Sequence, residues 1–452
     1  MCRCRRSIGL MKRCNSTVIT TATAVITNKV RDVIKDQVLE EATKSDSRFW
    51  KGEHQLTKLN GDYNHPTYAI NGVHPHLLTS EMASENSIDD PISMSLEDPL
   101  VEWNLSQMPQ RSMYVLPDGI SPDVDPFFVS KEDIQKITEG IRDDLIGTDH
   151  PVLNKAAAYF FDEGGGASGK KVRPVMVMLL SKAMTISDNG TFCHNVLDSQ
   201  RRLAQISEMI HTASLFHDDV IDNADIRRGK PTVHKLFGDK MAILAGDYLL
   251  ARASIYLARL RNIHVVETMS TIIEHLVRGE VMQMKPPTSQ QMEYYLRKNF
   301  YKTASLMANS CKSAAILGGQ PDHIVHAAYR YGKHLGLAFQ LVDDVLDFEG
   351  DAASMGKPAL SDLNSGMATA PVLFAAQIFP EELHHLIQRR FKQTGDIDLA
   401  LSCISKSDGI NQTKRLAHVH AESAIDAAME LKESLYRDAL VHLAYKVVDR
   451  SR

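Results

Sequence analysis

The first residues whose types and spacing could do chemistry lie in the stretch EMIHTASLFHDDVIDNADIRRGKP, residues 208–231. Asp218, Asp219 and Asp222 stand at i, i+1 and i+4, directly after an apolar run of helical period. A helix turns ~100° per residue, so Asp218 and Asp222 fall about 40° apart on one face, with His211 about 20° from the same line. Carboxylates crowded on one face repel each other unless a cation sits between them. Mg²⁺ fills that role when phosphate oxygens complete its octahedron. Arg227 and Arg228 follow just past the acids; they can serve the same phosphates or simply cap the negative end of the helix. Taken alone, one such acidic cluster more often reads as a solvated helix face.

The chain repeats the device. Within GLAFQLVDDVLDF, Gln340, Asp343, Asp344 and Asp347 again give DDxxD inside an apolar run. Gln340, Asp344 and Asp347 lie on neighbouring turns, with Asp343 at the edge of that face. Acids flanked by Leu, Val and Phe are not ordinary surface residues, because burying charge without a partner is unfavourable. Two such helices suggest facing walls of one metal-filled cleft.

The paired aspartate motifs, with Arg227-Arg228-Gly229 after the first, resemble the trans-isoprenyl diphosphate synthases. Within that family the likeness is to the long-chain polyprenyl synthases, of solanesyl or decaprenyl type, that make ubiquinone side chains. It runs from about Asp125 to the C-terminus. The resemblance implies an all-α, isoprenoid-synthase-type helical bundle with a central cavity. It also implies Mg²⁺ as cofactor, held by Asp218, Asp222, Asp343 and Asp347, with Asp218, Asp219, Asp222, Asp343, Asp344 and Lys302 as the catalytic set.

Other segments gain roles from the same resemblance. FDEGGGASGKKVRP, residues 161–174, offers flexible backbone and cations before a helix starting near Pro174, an arrangement that favours an anion or is merely a loop. It lacks the GK[ST] of a P-loop. By resemblance, Lys170 and Arg173, with His211, grip the diphosphate of isopentenyl diphosphate. Lys171 stands where Arg or another residue is common, and the loop is longer than the family's. Arg227 is assigned to the allylic diphosphate and Arg228 to isopentenyl diphosphate. Lys302 and Thr303 match the family's KT pair and, with Gln340, are assigned to the allylic diphosphate; without the resemblance Lys302 reads as a snorkelling surface lysine. Lys357, in the SMGKP loop, matches the last diphosphate lysine. The residues four and five before the first aspartate face the growing tail in the family. Here they are Ser214 and Ala213, whose small side chains leave a tunnel open and imply a long product, while Phe216 is at the wrong angle to plug it.

The implied reaction joins isopentenyl diphosphate units head-to-tail to an allylic prenyl diphosphate, giving a long all-trans polyprenyl diphosphate for ubiquinone biosynthesis. The alternatives are a short-chain geranylgeranyl or geranyl diphosphate synthase and a non-catalytic subunit of a heteromeric synthase. A terpene cyclase fits less well, since cyclases usually pair one DDxxD with an NSE/DTE-type motif and lack the GKKVRP site. A homodimer or heteromer is expected, with peripheral membrane association for product release.

The elements that must position these residues follow from composition and period. Of 452 residues, 43% are hydrophobic and 24% charged, with a net charge of −5. That balance suits one large core or two domains and argues against nucleic acid. No run of ~18 apolar residues suggests a membrane span. Residues 1–42 are assigned to an organellar transit peptide: they open with Arg3, Arg5, Arg6, Lys12 and Arg13 and show no acid before Asp32. The address implied is mitochondrial, with plastid as the alternative. Residues 43–124 are polar, rich in Asn, His, Ser and Pro, and read as a loosely ordered arm. Residues 125–452 form the catalytic domain, opening with a capping-box-like Ser130 and Asp133 ahead of Ile134, Ile137, Ile141 and Leu145 on one helix face. Asp247 is expected to be a polar partner inside the bundle. Cys193, Cys311 and Cys403 lack metal or redox spacing and read as free thiols.

Overall fold

The structure, a computed structural model, describes residues 116–145, 150–161, 171–184, 194–227, 229–284, 292–349 and 360–450. The proposed transit peptide, the arm up to residue 115, Lys170, Arg228, Lys357 and Cys193 lie outside the described residues. Helices run in order: α1 Pro126–Val129, α2 Lys131–Leu145, α3 Pro151–Ala158, α4 Val172–Met184 and α5 His194–Ile221. A two-residue ribbon follows, Ile226–Arg227 against Lys230–Pro231, antiparallel. Then come α6 Val233–Phe237, α7 Asp239–Arg259, α8 Ile263–Met284, α9 Met292–Asn299, a π-helical turn Phe300–Ala304, α10 Ser305–Leu317 and α11 Asp322–Glu349. The C-terminal part holds α12 Ser361–Asn364, α13 Ala370–Ile378, α14 Pro380–Gln388, α15 Asp396–Lys406, α16 Gly409–Met429 and α17 Leu435–Val448. The all-α architecture implied by the resemblance is what the described residues adopt, apart from the two-residue ribbon.

The main core is built where apolar faces meet. On α2, Ile137, Ile141 and Leu145 are fully buried and Ile134 partly so. Val175 to Leu180 of α4 are buried all round, which makes α4 a central core helix. α5 and α11 have 28 residues each, long enough to span the bundle at about 42 Å. α5 packs along α7, and α11 lies between α10 and α16. A second core joins α13 to α16 with Leu341, Val342 and Leu363. Each long helix carries its aspartate motif at or near its C-terminal end. A helix C-terminus is its negative end, so acids placed there increase the demand for cations.

Three local expectations are corrected. Ser130 does not open a capping box: its hydroxyl donates back to the Pro126 carbonyl at 2.7 Å, and Asp125 caps α1 instead. Asp133 is drawn to Lys182, 2.5 Å away, and to Arg201, so it cannot reach back to the helix start. Asp247 is not inside the bundle; its side chain is 61% exposed and 3.5 Å from His217. The end of the segment read as an arm belongs to the folded body. Ile120 and Val124 are buried, Ser121 donates to Asp438 at 3.1 Å, and His442 bonds the Ser121 carbonyl at 2.7 Å.

Candidate active site

The site is organised by the π turn that carries Lys302 and Thr303. A π turn inside an α-helical run re-aims side chains and is common at functional sites. Two glycines on neighbouring helices let those helices close onto it. A β-carbon at Gly279 of α8 would lie 2.9 Å from the Lys302 backbone nitrogen, and one at Gly336 of α11 would lie 2.6 Å from the Ala304 α-carbon. The turn is thus gripped from both sides, and its two polar side chains reach toward different aspartate motifs.

On one side Lys302 Nζ lies 2.6 Å from Glu280 of α8, both side chains largely buried. Asp218 sits in their field. Burial pushes its carboxyl up to about 6; Lys302 and Arg227 oppose the shift, while Glu280 and Asp222 reinforce it. Three acids, Asp218, Asp222 and Glu280, against two cations, Lys302 and Arg227, leave a net negative site that a further cation would neutralise. Asp219 points elsewhere. Its carboxylate takes the Arg227 Nε hydrogen bond at 2.6 Å, while its other oxygen is buried with no hydrogen-bond partner. Asp222 lies just past the helix end and is exposed.

On the other side Thr303 donates to Gln340 at 2.9 Å, and Gln340 donates to Asp344 at 3.0 Å. Asp344 is buried and also accepts from the Tyr295 hydroxyl and the Ala370 amide. Burial raises its carboxyl and, acting on the Tyr295 phenol, raises that further. Lys298, one turn before Lys302, is pushed below the usual lysine range by burial while Asp344, Glu280 and Asp362 support its charge. Asp347 is turned toward α12, where it accepts from the amides of Ser361 and Asp362 and the Ser361 hydroxyl. Asp343 lies at the exposed edge, paired with Arg450 at 2.5 Å.

Arg173 of α4 meets His211 of α5 at 3.0 Å, so two of the residues assigned to one diphosphate stand together. Ser214 is half-buried and donates to the His211 carbonyl at 2.9 Å, while Ala213 is fully buried in the main core. Phe216 is buried against Phe160, ring centroids 5.5 Å apart. Glu280, Lys298, Tyr295 and Arg450 are absent from the sequence reading. Glu280, like the others, is joined to the motifs only by the fold, since its helix carries further charged residues such as Glu267, Glu274 and Arg278.

Among the described residues no three His, Cys, Asp or Glu side chains converge to hold a metal ion by themselves. That suits Mg²⁺, which is usually bound through one or two carboxylates plus waters and substrate phosphates rather than in an all-protein cage. The orphaned oxygen of Asp219 and the acid-rich surroundings of Asp218 both fit a site completed by a cation.

The polyprenyl synthetase family model matches residues 150–404. A probable hexaprenyl pyrophosphate synthase, mitochondrial, from Yarrowia lipolytica is 40% identical, over 78% of this chain and 90% of its own length. The human all trans-polyprenyl-diphosphate synthase PDSS1 is 46% identical, over 73% of this chain and 78% of its own. The crystal structure of a polyprenyl synthase from Caulobacter crescentus, complexed with calcium and isoprenyl diphosphate, superposes with a TM-score of 0.64. It is 29% identical, covering 72% of this chain and 97% of that one.

Proposed function

The chain belongs to the polyprenyl synthetase family, and from that premise we propose how its residues extend a prenyl chain. It is a trans-polyprenyl diphosphate synthase, adding isopentenyl diphosphate units to an allylic diphosphate to make a long polyprenyl diphosphate for ubiquinone side chains. The observation that carries the residue-level reading is the gripped π turn, from which Lys302 pairs with Glu280 in the field of Asp218 and Thr303 bonds Gln340, which in turn donates to Asp344.

Asp218 and Asp222 on one side and Asp343 on the other would hold Mg²⁺ ions completed by substrate phosphate oxygens, and these ions would supply charge for the departing diphosphate. Lys302 and Arg227 add fixed positive charge where the allylic C–O bond breaks, the type of preorganised electrostatics that lowers such barriers. Thr303 and Gln340 orient the same diphosphate. Arg173 and His211 hold isopentenyl diphosphate so that its double bond faces the allylic carbon; Lys170, Arg228 and Lys357 are proposed for the same two diphosphates. The apolar walls exclude water, which would otherwise quench the allylic cation. Ser214, half-buried, leaves room for a tail longer than geranylgeranyl, while Ala213 beside it is packed in the main core.

The address we propose is mitochondrial, as the name of the Yarrowia relative suggests. A second copy of the chain is the proposed partner. α7 is apolar enough to span a membrane by length and composition, yet only 39% of its most apolar window is buried. Ile243, Leu244, Ile255, Val277 and Val281 are exposed on α7 and α8, a face that a homodimer would cover.

The test is direct. Purified chain incubated with isopentenyl diphosphate, farnesyl diphosphate and Mg²⁺ should give products well beyond geranylgeranyl length on reversed-phase chromatography. Mainly geranylgeranyl diphosphate overturns the long-chain reading, and no turnover without a second subunit overturns the homomeric one.

A further inference from the structure

At the other end of α5 from Asp218, three arginines gather around one buried ring. The guanidinium carbons of Arg202, Arg252 and Arg259 lie 4.5, 5.0 and 5.8 Å from the ring centroid of Tyr256. Arg202 has a carboxylate partner, Asp144 at 2.6 Å. Arg252 donates to the Tyr256 hydroxyl at 2.5 Å, and its Nε is buried without a hydrogen-bond partner. Neither Arg252 nor Arg259 forms an ion pair among the described residues. Three cations and one acid around a single ring repel each other, so the cluster is short of negative charge. Guanidinium groups are planar forks that match a phosphate oxygen pair, which makes phosphate the anion this geometry selects.

The surroundings say which phosphate. The turn joining α7 to α8 follows directly, with Arg261 exposed and Ile263 72% exposed beside the arginines. Cations flanked by an unpartnered apolar side chain fit a lipid headgroup over acyl chains better than a soluble ion. The helix between Arg202 and Asp218 is about 24 Å long, so a tail growing beside α5 away from the aspartates heads for this end.

We propose that Arg202, Arg252 and Arg259 around Tyr256, with Arg261 and Ile263, form a phospholipid-phosphate site that seats this end of the bundle on an anionic bilayer. Its purpose, delivery of a long apolar product, rests on the proposed function above; the binding itself requires no turnover. The site is separate from the aspartate motifs, and it borders the face assigned to a second copy at Ile255, which lies between Arg252 and Arg259 on α7.

The test is hydrogen exchange, read by mass spectrometry, on the full-length chain with vesicles at about 0.1 M salt. Phosphatidylcholine vesicles carrying phosphatidylglycerol should slow exchange in peptides covering residues 257–266, and pure phosphatidylcholine vesicles should not. In the variant carrying both Arg259→Glu and Arg261→Glu, that local protection should need about tenfold more anionic lipid. Elongation in detergent should stay at the parent level, which separates this proposal from the catalytic one. The single variant Arg252→Gln should lose protection in the same way if the double variant proves unstable. Three results would overturn the proposal: vesicles binding without slowing residues 257–266, equal protection by neutral vesicles, or equal protection by inorganic diphosphate alone.

Discussion

Lys302 and Glu280 form a 2.6 Å ion pair beside Asp218. The lysine therefore has two candidate anions, a carboxylate when no substrate is bound and a diphosphate when one is. Lys302→Ala removes a fixed cation from the leaving-group side and should lower kcat by about 10²–10³-fold, the scale of losing one preorganised electrostatic group. Glu280→Gln frees Lys302 from its competitor, and the KM for the allylic diphosphate should fall while kcat changes little. Steady-state kinetics with farnesyl diphosphate varied separates the two effects. A Glu280→Gln enzyme as impaired as Lys302→Ala would mean that Glu280 touches the reacting groups itself.

Gly279 and Gly336 hold the π turn by close approach, not by turn conformation. An added β-carbon at Gly336 meets the Ala304 α-carbon at 2.6 Å, backbone that cannot swing aside. Gly336→Ala should destabilise the fold by roughly 1–3 kcal/mol through overpacking and also move Thr303 relative to Gln340. The expected signature is a lower urea midpoint with an unchanged m-value, together with a raised KM. Unchanged stability would show that α11 slides without resistance.

Burial holds the Asp218 carboxyl near 6, with Glu280 and Asp222 pushing the same way. A carboxyl raised in the folded state binds its proton more tightly there than in the unfolded chain. Its stabilising contribution is present below the unfolded value of 3.8 and is lost as pH rises through about 6. Deprotonation on that rise costs the cation-free protein on the order of 3 kcal/mol. A bound cation reverses the balance, because it needs the charged form. Mg²⁺ with inorganic diphosphate should raise Tm much more at pH 7.5 than at pH 5. Asp218→Asn should flatten that difference; equal Tm gains at both pH values would remove Asp218 from the ligand set.

How much of this was readable in the sequence depends on how local each feature is. Both aspartate motifs announce themselves through spacing along one helix face, and the apolar faces of α2 and α5 follow from period alone. Arg173 and His211 sit on different helices, and only resemblance linked them before their 3.0 Å contact was seen. Glu280 and Tyr295 could not be assigned, because what matters is their distance from Lys302 and Asp344 across the bundle. Ser130 and Asp133 misled for the opposite reason. The local pattern was right for a capping box, but Lys182 from another helix offered Asp133 a stronger partner. Asp347 has the spacing of a metal ligand, yet amides of α12 supplied by a later segment hold it.

The chain-length positions differ in how much space surrounds them. Ser214 is half-buried, whereas Ala213 is packed in the main core with no exposure. Ser214→Phe should therefore fold normally and shift the product mixture to shorter prenyl chains. Ala213→Phe should first lower stability by about 1–3 kcal/mol. Product sizing beside thermal melts distinguishes them, and unchanged chain length in a well-folded Ser214→Phe enzyme would place the tail elsewhere.

Asp343 and Arg450 supply the last prediction. The guanidinium is fixed on three sides: 2.5 Å from Asp343, donating to the Phe339 carbonyl at 2.6 Å, and stacked 3.7 Å from the Phe339 ring centroid. An arginine so placed competes with a metal ion for Asp343. Asp343 is half exposed, so breaking the pair should cost about 1 kcal/mol or less of stability. Arg450→Ala should then lower the Mg²⁺ concentration needed for half-maximal turnover, by roughly two- to fivefold if the pair contributes about 0.4 to 1 kcal/mol to the competition. Arg450→Lys should fall between, since an ammonium cannot reproduce the stacked, forked contact. An unchanged Mg²⁺ requirement in Arg450→Ala would mean either that Arg450 swings away once substrate is bound or that Asp343 is no ligand. Asp343→Asn separates these: a raised Mg²⁺ requirement leaves Asp343 in the ligand set, and an unchanged one removes it.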